Sequence, residues 1–474
     1  MGAPTAPLDR SVPPTLAAPM PYALPSFHRA TLSNGMQMLV LPVARVPLLM
    51  LEVMSHAGAD VDARAQAGRA SLATALLDEG TESRSALEIA AVAERLGGFV
   101  GTGLDWDIAL VRTVLLARHL DRGMDLLAEI VRTPTFPDDE IERQRQQRLG
   151  ELLRRRDQPQ LLARLALMQA LYPSDHPYHG SVLGTPTTVE TLDRAVLRSH
   201  YANHIASPAN AVLLAVGDIA PEAAIAAAER GFGDWQPSAD ARPPQPPPPM
   251  PKASPRRVIV VDRPGAPQTQ LFLGQIGVAR SAATAADHPA RVLMNGLLGG
   301  LFTSRINLNL REQRGYTYGA SSAFAQRRGP GPFTVGAALT TENTGDAIEQ
   351  VLHEITRMRE TPVSADELEE ARRYLVGSFP HTVQRLDGLR GRLAALVAYG
   401  LPDDYYDTYP ACILDLDAET VRAATRTHVE PEALTIVAAG PAALLTPQLA
   451  SFGDVEVWDA ARAVDPLAAG DARA

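Results

Sequence analysis

The chain reads as an α+β protein of two homologous domains, each a mostly antiparallel sheet with helices packed on one side, joined by a proline-rich linker. Three observations predict this. The first is the stretch Pro237 to Pro255, PSADARPPQPPPPMPKASP. Proline fixes φ and lacks a backbone donor, so this stretch forbids helix and sheet and favours an extended connector. The second is that the two sides of the stretch repeat one another. Thr133-Pro134 leads into Asp139-Glu140-Ile141-Glu142, and Thr361-Pro362 leads into Asp366-Glu367-Leu368-Glu369; each charged start reaches a glycine at the same distance, Gly150 and Gly377. The third is that strand-like and helix-like apolar runs mix in both halves, the mark of sheets carrying helices. The expected boundaries are a flexible tail at 1–25, a first domain at 26–236, the linker at 237–255 and a second domain at 256–464.

In the first half, His28 to Leu32 reads as a strand, Ser33-Asn34-Gly35 as a tight hairpin turn, and Met36 to Leu41 and Leu48 to Met54 as further strands. Ala67 to Leu77 is rich in Ala and Leu and reads as a helix closed near Gly80, followed by a helix at Ser85 to Leu96 and a strand at Ile108 to Leu115. Helices are expected at Asp121 to Val131, Asp138 to Arg156, Leu161 to Leu171 and Val189 to Tyr201, then a buried strand at Ala211 to Gly217. In the second half, strands are expected at Val258 to Val261, Gln270 to Gly277, Phe333 to Leu339 and Leu434 to Gly440, and helices at Ala286 to Leu298 and Gly345 to Met358.

Composition excludes several classes. Of 474 residues, 46% are hydrophobic and 21% charged, which is ordinary globular material able to bury a large core. The net charge of -10 argues against a nucleic-acid partner. A single cysteine, Cys412, excludes an internal disulfide and a cysteine-based metal cluster, and it is expected to fill core space. No run of about 18 apolar residues predicts a membrane span. The opening segment lacks the basic start and apolar core of a signal peptide, so a cytoplasmic location is expected, or a periplasmic one if the start codon is mis-assigned.

One stretch carries candidate chemistry: Asn295 to Gly319, NGLLGGLFTSRINLNLREQRGYTYG. An apolar segment breaks at Gly299-Gly300, a helical pattern resumes and ends at Arg314-Gly315, and Tyr316 and Tyr318 then alternate as on a strand. A glycine pair at a helix start leaves N–H groups free and lets another chain or an anion approach. Arg311 offers a planar fork of donors, and with Tyr318 it can grip a polar group such as a peptide carbonyl. The plain alternative is that the glycines mark a helix boundary and the arginine complements a helix dipole.

From about Tyr22 to Val464 the sequence resembles the pitrilysin/insulinase-like metallopeptidases, particularly the bacterial and mitochondrial processing-peptidase branch. The marks are HAGADVDARAQAGRASLATALLDEGTESRS, which is similar to the family's first helix segment; HPYHGSVLGTPTTVETL at His176 to Leu192; HYANHIASPANAVLLAVGD at His200 to Asp218; and LLGGLFTSRINLNLREQRGYTYG in the second half. The resemblance implies a zinc site built from His-x-x-Glu-His on that first helix plus a downstream glutamate, a three-ligand set with an open position for water. The motif is absent. The register set by Gly68-Arg69-Ala70 and Gly80-Thr81 puts Ser71 and Ala75 at the two histidine positions and Thr74 at the general-base position; the downstream position is Glu151. One carboxylate does not hold a catalytic zinc, and Glu151 also reads simply as the polar face of a charged helix. His200 and His204 have the four-residue spacing of zinc-protease histidines, but no glutamate follows His200.

The resemblance implies a chain that has lost zinc but keeps the glycine-rich segment Gly299-Gly300 and the Arg311/Tyr318 pair, with Tyr316 less suited to the tyrosine role. Such a chain is inactive alone, binds peptide substrate and pairs with a zinc-bearing homologous subunit, which holds the metal. Three alternatives stay open: a structural or peptide-binding scaffold subunit, an independent hydrolase with a different site, and a residual zinc enzyme built on Glu151.

Overall fold

The computed structural model describes residues 22, 24–252 and 255–468. Most of the expected tail and Ala253 and Ser254 of the linker lie outside the described residues. The first half carries β1 (His28–Thr31), β2 (Gln37–Pro42), β3 (Leu48–Ser55), β4 (Phe99–Leu104), β5 (Ala109–Leu116) and β6 (Ala211–Gly217). The second carries β7 (Val258–Asp262), β8 (Thr269–Ile276), β9 (Thr317–Phe324), β10 (Pro332–Leu339), β11 (Thr435–Gly440) and β12 (Val455–Trp458). The sheet orders are β1-β2-β6-β3-β5-β4 and β12-β7-β11-β8-β10-β9. They match position for position except at the first edge, where β1 runs antiparallel to β2 and β12 runs parallel to β7. The other parallel pairs are β2 with β6 and β7 with β11; every remaining neighbour is antiparallel.

Each half lays its own helices on one face of its sheet. Met38, Val40, Leu49, Leu51, Val111 and Leu213 meet apolar residues of the helices Arg69–Ala75, Ala86–Arg95, Leu120–Arg132 and Pro221–Phe232. Successive strand residues point to opposite faces, so Leu39, Leu41, Leu214 and Val216 need a different cover. They receive it from the second half, whose helix Leu386–Tyr399 packs against β6 through Leu389, Leu393 and Leu396. The converse also holds. The first-half helix Pro159–Leu171 packs on β8 and β11, burying Leu162, Leu167 and Leu171 against Ile259, Val261 and Val437. Every residue of β11 is buried, and all of β6 except Val212, which suits strands covered on both faces.

Polar ties reinforce the exchange. Arg390 stands 3.6 Å from fully buried Glu52, and Arg112 3.3 Å from Asp387. Tyr172 donates to the Pro330 carbonyl at 2.7 Å. The linker has no helix or strand among its described residues, yet it is tied down: Arg242 N donates to the Asn203 carbonyl at 2.8 Å, and the Arg242 carbonyl accepts from Asn210 Nδ2 at 2.7 Å.

Three local expectations need correction. The helix expected at 189–201 is broken at Leu192, and a new one starts at Arg194 with Asp193 accepting from the Val196 N–H at 2.8 Å. The helix expected at 286–298 runs His288–Asn295 and then loosens into a π-turn, Gly296–Gly300. Cys412 is exposed rather than a core residue, because its helix Tyr405–Asp415 turns Tyr405, Tyr406 and Ile413 inward instead. None of the helices among the described residues is long and apolar enough to cross a membrane.

Candidate functional site

The second-half stretch folds as a helix, a π-turn, a short break, a second helix (Arg305–Asn307) loosening at Leu308–Gln313, and then edge strand β9. Gly299-Gly300 therefore closes a helical segment rather than opening one, and the Leu301 N–H is spent on the Gly296 carbonyl at 3.1 Å. The glycines serve close packing. A Cβ on Gly299 would lie 2.5 Å from Ser322 Oγ on β9, and one on Gly300 would lie 2.7 Å from Asn295 Nδ2. Asn295 and Ser322 bond twice, Nδ2 to the Ser322 carbonyl at 3.0 Å and Ser322 Oγ to Asn295 Oδ1 at 2.8 Å. Asn307 Oδ1 accepts from the Ala320 N–H at 3.1 Å while its Nδ2 donates to the Phe302 carbonyl at 2.7 Å. These two asparagines fix the π-turn and the break to β9.

On this scaffold Arg311 is held between two rings. Its guanidinium carbon lies 4.6 Å from the Phe302 centroid and 5.0 Å from that of Tyr318. Both rings face solvent, Phe302 at 63% and Tyr318 at 90% exposure. Among the described residues the only carboxylate on the fork is Glu312, at 3.2 Å. Two exposed rings flanking an arginine combine the residue types enriched at contact surfaces. Stacking on rings limits the freedom of the guanidinium while leaving its planar edge able to donate. Tyr316 is different: its hydroxyl donates to Asp346 at 2.6 Å, beside Arg314 on the same carboxylate at 2.9 Å, so it is a structural tie. Phe302, Asn295 and Asn307 escaped sequence reasoning. Phe302 looked like one more apolar residue, and the asparagines show their purpose only once β9 is beside them.

The first-half positions fall on two helices that meet through Arg148 and Ser71. Ser71 and Thr74 are buried on the helix Arg69–Ala75, Ala75 is half-buried, and Glu151 stands on the helix Asp138–Arg155. Arg148, three residues before Glu151 on that helix, reaches across to the first. Its Nη1 donates to Ser71 Oγ at 2.8 Å in a buried contact, and burial pulls its pKa below the usual arginine value. Glu151 is occupied by Arg155 at 3.0 Å, and Thr74 Oγ1 has no hydrogen-bond partner among the described residues. A hydroxyl, a methyl and a paired carboxylate do not make a zinc site, and a built-in guanidinium repels a divalent cation. The residues present do not fit zinc. No hydrogen bond, ion pair or ring contact among the described residues joins this group to the Arg311 cluster.

The rings of His200, which ends the helix Arg194–His200, and His204, in the buried turn that follows, lie 5.1 Å apart and tilted by 41°. Burial holds both neutral, His204 down to about 4. No group of three or more His, Cys, Asp or Glu side chains among the described residues is placed to hold a metal.

Two family models match the chain: "Insulinase (Peptidase family M16)" over residues 49–185 and "Peptidase M16 inactive domain" over residues 191–375. A crystal structure titled as a peptidase M16 inactive domain from Pseudomonas fluorescens superposes with a TM-score of 0.81 at 29% identity, covering 88% of this chain and 98% of that one. A protease from Helicobacter pylori shares the fold, with a TM-score of 0.80 at 19% identity over 88% of this chain and all of that one. An uncharacterized zinc protease of Mycobacterium bovis is 27% identical over 346 residues, 71% of this chain and 76% of that protein. One from Streptomyces coelicolor is 24% identical over 75% and 77%. With both halves matched in order and the whole two-sheet architecture reproduced, the chain belongs to the insulinase family of peptidases, as a member without that family's zinc-binding motif.

Proposed function

We propose that this chain is the non-catalytic, substrate-binding subunit of a heterodimeric zinc metallopeptidase that cleaves peptides or unfolded protein segments. The observation that carries this reading is the solvent-facing Phe302–Arg311–Tyr318 group, with Tyr318 on edge strand β9 and the segment carrying Phe302 tied to that strand by Asn295 and Asn307. Arg148, bonded to Ser71 at one of the degenerate zinc positions, supports it, because a guanidinium there leaves hydrolysis to another chain. The zinc-bearing partner supplies the hydrolytic centre. This chain holds the peptide backbone, with the Arg311 fork and the Tyr318 hydroxyl donating to substrate carbonyls.

The test starts with peptidase activity and zinc content of the chain alone, then of the chain mixed with a homologue from the same genome that carries an intact motif. The chain alone is expected to be inert, and the mixture to show chelator-sensitive cleavage. In the assembled complex, Arg311→Ala is expected to lower turnover by about 10²–10³, the usual cost of losing one such donor. Unchanged turnover in a correctly assembled R311A complex would refute substrate binding and leave a scaffold role. Cleavage by the chain alone would refute the subunit reading.

A further inference from the structure

A cavity of about 430 Å³ lies among the helices Ala365–Thr382, Leu386–Tyr399 and Tyr405–Asp415, apart from both groups described above. Its volume falls within the range of small-molecule sites. Two guanidinium groups line it. Arg280 is only 4% exposed, its carbon 4.8 Å from the Tyr405 ring centroid, and its Nη1 bonds nothing among the described residues. Arg392 rests over Phe379 at 5.3 Å and Tyr406 at 5.1 Å, and donates through Nη2 to Thr382 Oγ1 at 2.9 Å. Neither arginine has a carboxylate within ion-pair distance among the described residues.

The nearby carboxylates are already engaged. Asp287 serves Arg291 at 3.3 Å and His428 at 2.8 Å. Asp107 accepts from the Arg328 N–H at 2.8 Å and the Tyr178 hydroxyl at 3.2 Å. Burial, with the Arg280 charge beside it, holds His288 on the cavity wall neutral, down to about 3. A buried arginine without a carboxylate partner is costly, and its planar fork pairs with a carboxylate or a phosphate, of which the singly charged carboxylate costs less to bring against an apolar wall. The remaining wall is largely aromatic and aliphatic, from Phe379, Leu375, Val292 and Ala395, with Gln326, Ser378 and Thr382 adding polar atoms.

We infer that this cavity binds a monoanionic carboxylate carrying an apolar or aromatic body, its oxygens on Arg280 and Arg392 and its body against Phe379 and Leu375. Both a peptide's C-terminus and a free small acid offer this chemistry. The inference is independent of the proposed subunit role.

Calorimetric titration of the full chain with N-acetylphenylalanine, with its neutral amide, and with a short peptide ending in a free phenylalanine carboxylate tests it. The acid is expected to bind at about 0.1–1 mM, and the amide at least about tenfold more weakly. Arg392→Gln, at a half-buried position, is expected to lose about tenfold in affinity with its melting temperature retained. Ala395→Trp, which fills the cavity and keeps both arginines, is expected to abolish binding. A peptide binding as tightly as the acid names peptide C-termini as the ligand; an excluded peptide names small acids. Equal binding of acid and amide, no heat from the acid at low-millimolar concentration, displacement by inorganic phosphate as effective as by the acid, or a folded R392Q that binds like the wild type would each overturn the inference.

Discussion

Because each half covers the outer face of the other's sheet, a cut in one exchanged helix destabilises the whole chain. Leu167 is the sharpest place to make it. It is fully buried on the helix Pro159–Leu171, and its Cδ2 lies 2.8 Å from where a Cβ on Gly274 of β8 would stand, so no slack exists at this contact. Leu167→Ala removes buried methyl groups and leaves a cavity, a loss of about 2–5 kcal/mol. At about 2.1 cal/mol/K per residue, unfolding the entire chain carries an entropy of about 1 kcal/mol/K, so the melting temperature falls by about 2–5 °C if the molecule melts as one unit. It falls by about twice as much if the second half melts alone, because that unit has half the entropy. Tryptophan fluorescence separates the cases. Trp235 belongs to the first-half core and Trp458 to the cluster that includes Leu167. In variants keeping one or the other as sole tryptophan, both are expected to report the same shift. A Trp235 transition that stays in place while the Trp458 transition moves would refute the shared-core argument.

Further outcomes follow from other sites. Replacing Ser71 and Ala75 with His and Thr74 with Glu restores the motif but is expected to bind no zinc while Arg148 remains; adding Arg148→Leu brings zinc to about one per chain by metal analysis, and zinc in the variant that keeps Arg148 would refute the guanidinium's role. Gly299→Ala forces a methyl onto Ser322 and is expected to cost about 1–3 kcal/mol by thermal or urea unfolding. Asp60 and Asp107 are buried where the halves meet; burial, and for Asp60 the neighbouring Asp107, push their carboxyls up to about 7 and about 6. The native state thus holds protons the unfolded state has released, so these groups weaken the fold as pH rises from about 4 to about 7. Asp60→Asn is expected to stabilise by about 1–3 kcal/mol at pH 8 and by little at pH 4, as read from urea midpoints across pH. A D60N stability gain that does not vary with pH would contradict this.

Helices such as Leu120–Arg132 and Asp138–Arg155 were legible because their apolar stripe and charged ends are local signals. The edge strands β4, β9 and β12 were weaker signals, since β4 and β9 carry glycine and β12 is four residues long. The stretch from Leu386 to Asp415 gave no clear pattern. Its first helix mixes glycine and arginine with leucine, its second carries Pro410 inside, and both pack against neighbours on several sides. Arg311 and Tyr318 could be singled out from residue type and spacing, but Phe302, which completes the stack, could not. Arg148 looked like one more charge on a solvated helix until the fold carried it to Ser71.

Residue order and type by themselves determined the two-half architecture and singled out the Arg311/Tyr318 pair, because repeats, periodicity and side-chain chemistry are properties of local sequence; the missing zinc ligands were legible only through the resemblance to the metallopeptidase family. The tertiary structure alone decided which half each of the helices Pro159–Leu171 and Leu386–Tyr399 belongs to physically, and what replaced the metal ligands. A helix apolar enough to be buried does not encode which sheet will bury it; that depends on which sheet face its own half has left bare, and only the folded chain brings the two together.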